Sequence, residues 1–453
     1  MKKFYSIAIM LVFVVASHAQ HEHHHMADTT KPGNKEKHDM NKMDTGMHAH
    51  HMMSQMPSHA YSRNLPMNRN GSGTSWLPDA TPMYMIMKTG NKTDWMFHGN
   101  VFLRYTNTDI FNNGNRGSDK FDAPNWFMAM MNHKVGKKGL LNATAMISFD
   151  RITEGGGGYP LILQSGETYQ GQRLVDKQHP HDLFSGLTIG YTQTISNDAD
   201  VFGYIGYPGE PALGPPAFMH RISSINNPDA PLGHHWQDAT HITFGVGTLG
   251  FRYKNFKVEG SAFNGREPDE DRYGFDKLQL NSYSYRLSYN PSINWALQFS
   301  QGFIHEPETK EPGVNVTRTT ASVLYSKKIS SDQQYDAALV WGYNDKSDGH
   351  KEHSILIEDN HRFGKNALYG RYEFIQKSTE ELNLEDELGD QTFPVHTLSL
   401  GYNRTLFERS GGALAIGTQF KLNFIPSGLK NLYGELPVGA QVYLQIRPAL
   451  HKH

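Results

Sequence analysis

From residue 94 to the end of the chain, apolar and polar side chains alternate with period two in run after run. In NSYSYRLSYNPSINWALQFSQGFI (281–304), Tyr283, Tyr285, Leu287 and Tyr289 alternate with Ser282, Ser284, Arg286 and Ser288; Asn290-Pro291-Ser292 then turns the chain into a second alternating run. Side chains of a strand point to opposite faces, so each run presents one apolar and one polar face, and a short turn between two runs makes them antiparallel. About 16 such runs occur, with 14 and 18 as bounds, and most reach the 9–11 residues that a tilted membrane strand needs. The linkers alternate in length. Tight turns at Lys137-Lys138-Gly139, Ser196-Asn197, Lys254-Asn255, Pro291-Ser292 and Gly364-Lys365 are followed by long segments such as 107–123, 151–182, 209–239, 265–280 and 377–392. A soluble sandwich has no reason to sort its loops by parity; a barrel with tight periplasmic turns and long outer loops does.

The expected fold is therefore all-β: a transmembrane antiparallel β-barrel over 94–453. Outward rows would include Val101, Leu103 and Tyr105; Leu187, Ile189 and Tyr191; Leu339 and Trp341; and Ile416 and Phe420. Inward rows would carry His98, Asn100, Arg104, Lys257, Glu259, Arg286, Arg318, Arg371, Glu373, Gln419 and Lys421. Trp95 and Trp295 beside tight turns, with Trp341 and Tyr343 before an outer loop, fit two aromatic girdles. The mean hydropathy of −0.58 is compatible with this, because only alternate strand residues face lipid. A net charge of −2 gives no electrostatic reason to expect nucleic acid as a partner, and the absence of cysteine excludes disulfides and thiolate metal sites. Lipid of the outer membrane is the expected surrounding.

Ahead of the barrel the composition changes. Residues 1–19 read as a secretory signal peptide, with Lys2 and Lys3 before an apolar run and Ser17-His18-Ala19 at the cleavage position. Residues 20–67 are poor in aliphatic side chains and are expected to be disordered, and 68–93 read as an irregular connector. The 20–67 segment is dense in soft and borderline metal ligands: His21, His23, His24, His25, Met26, Met40, Met43, Met47, His48, His50, His51, Met52, Met53 and Met56. Thioethers select Cu(I) and imidazoles suit Cu, Zn or Ni, so this mixture without cysteine reads as a copper-binding segment. The spacing Met40, Met43, Met47-His48 after a leader and before a barrel resembles the copper resistance protein B family of outer-membrane proteins. The likeness covers that segment and the general architecture. It implies copper ions as cargo and periplasmic copper-handling proteins as partners. With both barrel ends on the tight-turn side, the segment would lie in the periplasm.

Two long loops also hold clustered ligands. Gln178-His179-Pro180-His181-Asp182 closes the first, and His220, His234, His235, Asp238 and His241 lie in the second. Loops this rich in proline and glycine are expected to fold inward and constrict a pore, with His and Asp satisfying backbone groups. His179, His181, His234, His235 and His241 are at the same time weaker candidates for metal ligands. Glu267, Asp269, Glu270 and Asp271 in the third loop lie between Arg266 and Arg272 and read as a salt-bridged turn. The phrases QHPHD, GEPALGPPAF and FNGREPDE resemble those of uncharacterised bacterial outer-membrane proteins, which implies location only. No glycine-rich phosphate motif or nucleophile elbow is present, so no organic cofactor and no enzymatic activity are expected. Copper sequestration by the tail is the leading reading, with a porin-like channel and a hydrolase built on loop histidines as alternatives.

Overall fold

The protein's structure, a computed structural model, describes residues 57–451. Sixteen long strands form a closed ring: β1 (Thr93–Asn107), β2 (Asn125–Val135), β3 (Gly139–Ile147), β4 (Phe184–Thr194), β5 (Ala199–Gly206), β6 (Val246–Tyr253), β7 (Phe256–Phe263), β8 (Ser282–Ser292), β9 (Trp295–Ile304), β10 (Val316–Lys328), β11 (Gln333–Lys346), β12 (Lys351–Phe363), β13 (Asn366–Ser378), β14 (Thr392–Arg409), β15 (Gly412–Phe424) and β16 (Val438–Arg447). Each pairs antiparallel with the next. β16 closes on β1 through Ala440↔Asn107, Leu444↔Leu103 and Ile446↔Val101. Closure leaves no open edge for lipid to meet, as a spanning sheet requires. Two short strands, Ile86–Lys88 and Asp119–Asp122, pair with opposite ends of β1.

The alternation read from sequence becomes two faces. On β8, Tyr283, Tyr285 and Leu287 are exposed while Ser282, Ser284, Arg286 and Ser288 are buried. Ile189, Leu339, Ile416 and Phe420 likewise point out, and Asn100, Arg104, Lys257, Glu259, Arg318, Arg371, Glu373, Gln419 and Lys421 point in. The tight-turn rim carries packed aromatic pairs, Phe256 stacked on Tyr289 at 4.0 Å and Trp295 tilted against Tyr325 at 4.5 Å between ring centres. Trp341, Tyr343 and His353 stack at the opposite rim.

Two local expectations change. Ile242, Phe244 and Val246 alternate like a strand, yet β6 begins only at Val246. Phe244 instead packs on Tyr207 and Phe275, and residues 239–241 form a 3₁₀ turn inside the lumen. The second concerns 57–67, which composition assigned to the disordered segment. Ser58–His59 and Ser62–Pro66 form a hairpin and Met67–Arg69 a 3₁₀ turn, with Ala60, Tyr61 and Met67 buried. Tyr61 packs on Phe202 of β5 at 5.2 Å, and Ser62 Oγ donates to Asp200 Oδ2 at 2.5 Å. A segment too polar to build its own core is ordered by the wall that surrounds it.

The lumen is filled from both directions. Residues 57–82 occupy the tight-turn side, where Arg286 donates to Thr74 Oγ1 at 2.8 Å and Asn290 to the Leu77 carbonyl at 2.9 Å. The loop 207–245 enters from the other side. Its Asp229 accepts from Arg104 at 2.8 Å, and its Arg221 pairs with Glu358 at 2.7 Å and Asp238 at 3.1 Å. Buried charges on the wall need partners, and the two insertions carry them.

Candidate metal centre

The long loop after β3 contains a one-turn helix, Asp150–Thr153, and a hairpin, Tyr159–Tyr169 with Gln172–Gln178, that delivers His179-Pro180-His181. The inward loop supplies a one-turn helix, His234–Gln237, followed by the 3₁₀ turn at Ala239–His241. The five rings form a closed circuit. Centre-to-centre separations are 5.6 Å for His181–His241, 5.0 Å for His241–His234, 5.2 Å for His234–His235, 5.8 Å for His235–His179 and 6.2 Å for His179–His181. Phe218 packs against the rings of His181, His234 and His241. The weaker sequence candidates thus meet in space.

Each ring is anchored through Nδ1. His181 Nδ1 lies 2.6 Å from Asp150 Oδ2, and His234 Nδ1 lies 2.6 Å from Asp238 Oδ1. His241 Nδ1 donates to the Asp238 carbonyl at 2.8 Å; His179 Nδ1 is 3.2 Å from Glu167, and His235 Nδ1 is 3.3 Å from Glu267. The Nε2 atoms of His179, His181, His235 and His241 are buried without a hydrogen-bond partner among the described residues. A carboxylate or carbonyl on one nitrogen fixes the tautomer and leaves the other lone pair free. That is the outer-shell pattern of metal-binding histidines.

Three imidazoles, His179, His234 and His235, bring ligand atoms within 4.8 Å of one another. Tetrahedral bonds of about 2.0–2.1 Å require about 3.4 Å between ligands, so these three atoms would have to draw closer to hold one ion. His235, Glu267 and Glu308 form a second set of the same span sharing one ring. The set Glu311, Asp348 and Glu380 near the outer loops differs: Lys346 lies 3.1 Å from Glu311 and Arg173 lies 2.6 Å from Glu380, so those charges are already balanced.

Burial holds His179, His234 and His241 below the ordinary imidazole range and His235 down to about 4. Burial also pushes Glu267 and Glu308 up to about 7. Although burial alone would raise it, His234 and Arg221 hold the Asp238 carboxyl well below the usual range. These opposite shifts separate the two ligand sets by pH. Protons displace a metal only once the ligands themselves protonate. A three-imidazole site should therefore keep bound Co(II) from pH 7 to 5, read from its visible absorption. Release on falling through pH 7 would instead identify the carboxylate set as the ligands. Imidazoles of ordinary pKa, near 6.5, would give up about 1.5 log units each by pH 5.

His21, His23, His24, His25, Met26, Met40, Met43, Met47, His48, His50, His51, Met52, Met53 and Met56 lie outside the described residues. His220 stands apart from the circuit, with its ring 4.8 Å from Trp126. Of the anchoring acids, the sequence places Asp238 in the second loop's ligand cluster and Glu267 in a salt-bridged turn, and does not single out Asp150 or Glu167. Asp238 carries a local signal, since it follows His234 by one helical turn, but Asp150, Glu167 and Glu267 carry none. Arg272 does not balance its own loop; it pairs with Glu167 and Asp182 beside the circuit.

An outward belt of Ile205, Leu249, Leu400 and Val442, all more than half exposed, surrounds this polar interior on a sheet with no edge. The chain is a bacterial outer-membrane β-barrel. No family model matches it and no curated protein matches it. Among solved structures it is similar to Salmonella typhi OmpF in complex with daunomycin, at 9% identity over 80% of this chain and 100% of that one, TM-score 0.48. An anion-selective porin from Comamonas acidovorans matches at 11% identity over 79% and 100%, TM-score 0.45. The channel DcaP of Acinetobacter baumannii matches at 11% over 80% and 99%, TM-score 0.43.

Proposed function

We propose that this outer-membrane barrel captures a transition-metal ion at the luminal histidine circuit, with copper as the cargo that the His/Met-rich residues before the barrel would collect. The carrying observation is that five imidazoles from two loops converge, four with a buried, partnerless Nε2 and each with an anchored Nδ1. Copper is favoured by the tail's thioether and imidazole chemistry, which is also where the resemblance to copper resistance protein B resides. Sequestration, with exchange to periplasmic copper-handling proteins, is the activity that follows.

The test is a Cu(II) and Co(II) titration of the detergent-folded protein with and without residues 21–56. The deletion stops there because Ser58–Pro66 belongs to the filling of the lumen. At least one tight site should survive it. A protein that loses all tight binding with the tail would confine metal handling to residues 21–56.

A porin-like channel for a small solute is the second reading, favoured by strand number: rings of 16–18 strands can hold an aqueous channel. Here 57–82 and 207–245 fill that space, and cavities of ≈ 90 and ≈ 50 Å³ remain among them. Large conductance steps in a planar bilayer would favour the channel. A hydrolase built on the loop histidines is weaker, because the cavities that touch His181 and His241 measure ≈ 50 Å³ each, room for waters but not for a substrate.

A further inference from the structure

The interior faces of barrels of this type are polar, and most of this one is. An apolar, methionine-rich patch lies on β1, β2 and β3. Met96 stands opposite Met130, and His98 opposite Met128, which in turn faces Met146. Directly opposed residues on one face of paired strands have Cβ atoms about 4.5–5.5 Å apart, so these side chains form one continuous surface. Met83 from the N-terminal insertion and Met219 from the inward loop meet it, and a cavity of ≈ 90 Å³ lies between them.

Methionine often serves only as adaptable filler. Two features go beyond filling. The rings of His98 and His220 line the same cavity 5.8 Å apart, both against Trp126, and neither makes a hydrogen bond among the described residues. Both rings are half-buried and line the cavity with no protein partner on either nitrogen, which leaves them available to a ligand there. In addition, the space adjoins a second cavity that reaches the histidine circuit. A second cavity of ≈ 50 Å³ shares Met128, Met130, Met219 and His220 with the first and is also lined by His241.

We propose that this cavity is a separate soft-cation site that binds Cu(I) through methionine thioethers with His98 and His220, and passes it to the histidine circuit. Thioether sulfur selects Cu(I) over harder divalent ions, and the Trp126 face adds cation–π attraction. The onward step rests on the metal-capturing role of the circuit; the site itself does not. No redox change is involved.

The test uses the full-length chain with its tail methionines (Met26 to Met56) changed to leucine, loaded with one equivalent of Cu(I) and read by X-ray absorption. Sulfur is expected in the copper shell. Met128→Leu/Met130→Leu, a volume-conserving change, should lower the sulfur count in that shell and weaken Cu(I) at least ten-fold in chelator competition. It should leave the Co(II) spectrum of the circuit intact, which also reports a folded lumen. The single variant Met219→Leu, on the loop rather than the wall, should give a smaller loss in the same direction. A nitrogen-only shell, or sulfur unchanged in the double variant, overturns the proposal. Sulfur at the cavity with no Co(II) site at the circuit upholds it and overturns the circuit instead.

Discussion

Changing His179, His234 and His235 together to alanine should abolish tight Co(II) and Cu(II) binding in protein lacking residues 21–56, while the barrel stays folded. These are the three imidazoles whose ligand atoms already lie within 4.8 Å. Metal binding by complete protein sites is worth roughly 10–16 kcal/mol, so each of four ligands carries about 3 kcal/mol, on the order of a hundred-fold in affinity. Three deletions leave nothing tight. The barrel should survive because its strand ladders and wall ion pairs do not involve these rings. The anchors predict a graded series. Asp238→Asn keeps the shape but weakens the acceptor for His234 Nδ1, and loss of an outer-shell partner costs about 10–100-fold in affinity. Equal affinity in the triple variant and the parent would refute the circuit as a metal centre.

The second large effect is on stability. Glu358 of β12 accepts from Arg221 at 2.7 Å through Oε1 and from Arg371 at 3.0 Å through Oε2, and all three side chains are 1% exposed. Ser223 adds a third bond at 2.9 Å. Glu358→Ala would leave the Arg371 guanidinium buried without a carboxylate and Arg221 with Asp238 alone. Breaking one buried pair this way costs about 3–5 kcal/mol. Because Arg221 sits on the inward loop and also holds Asp238, the loss should appear first as release of residues 207–245. Expected results are a lower unfolding temperature in detergent, protease cleavage within that loop and weakened Co(II) binding. Glu358→Gln, which retains an acceptor, should fall between. An unchanged melting temperature with an uncut loop would show that the triad does not hold the insertion in place.

The extent to which the sequence was legible follows from which interactions are local. Strand positions, the assignment of Tyr283 to lipid and Arg286 to the lumen, and the parity of loop lengths depend on the two-residue pleat and on turn residues, both readable within a dozen positions. Where the reading failed, a distant surface decided. Residues 57–67 look unable to fold because their partners, such as Phe202 and Asp200, lie far along the chain. Ile242 and Phe244 read as strand because the aromatic partners of Phe244, Tyr207 and Phe275, are not sequence neighbours.

The histidine circuit divides the same way. The sequence alone determined that a ring of about 16 strands would carry an apolar exterior, a charged interior and two long loops rich in histidine. Only the tertiary structure decided that His179 and His181 from one loop meet His234, His235 and His241 from the other, with Asp150 of the first loop and Glu267 of a third anchoring two of them. Ligand spacing within a loop is set by backbone geometry, but convergence of two loops depends on where buried charge must be neutralised. Here Arg221, Asp229 and Arg272 each pair with acids or arginines on other segments, and those long-range pairings draw the loops into one lumen.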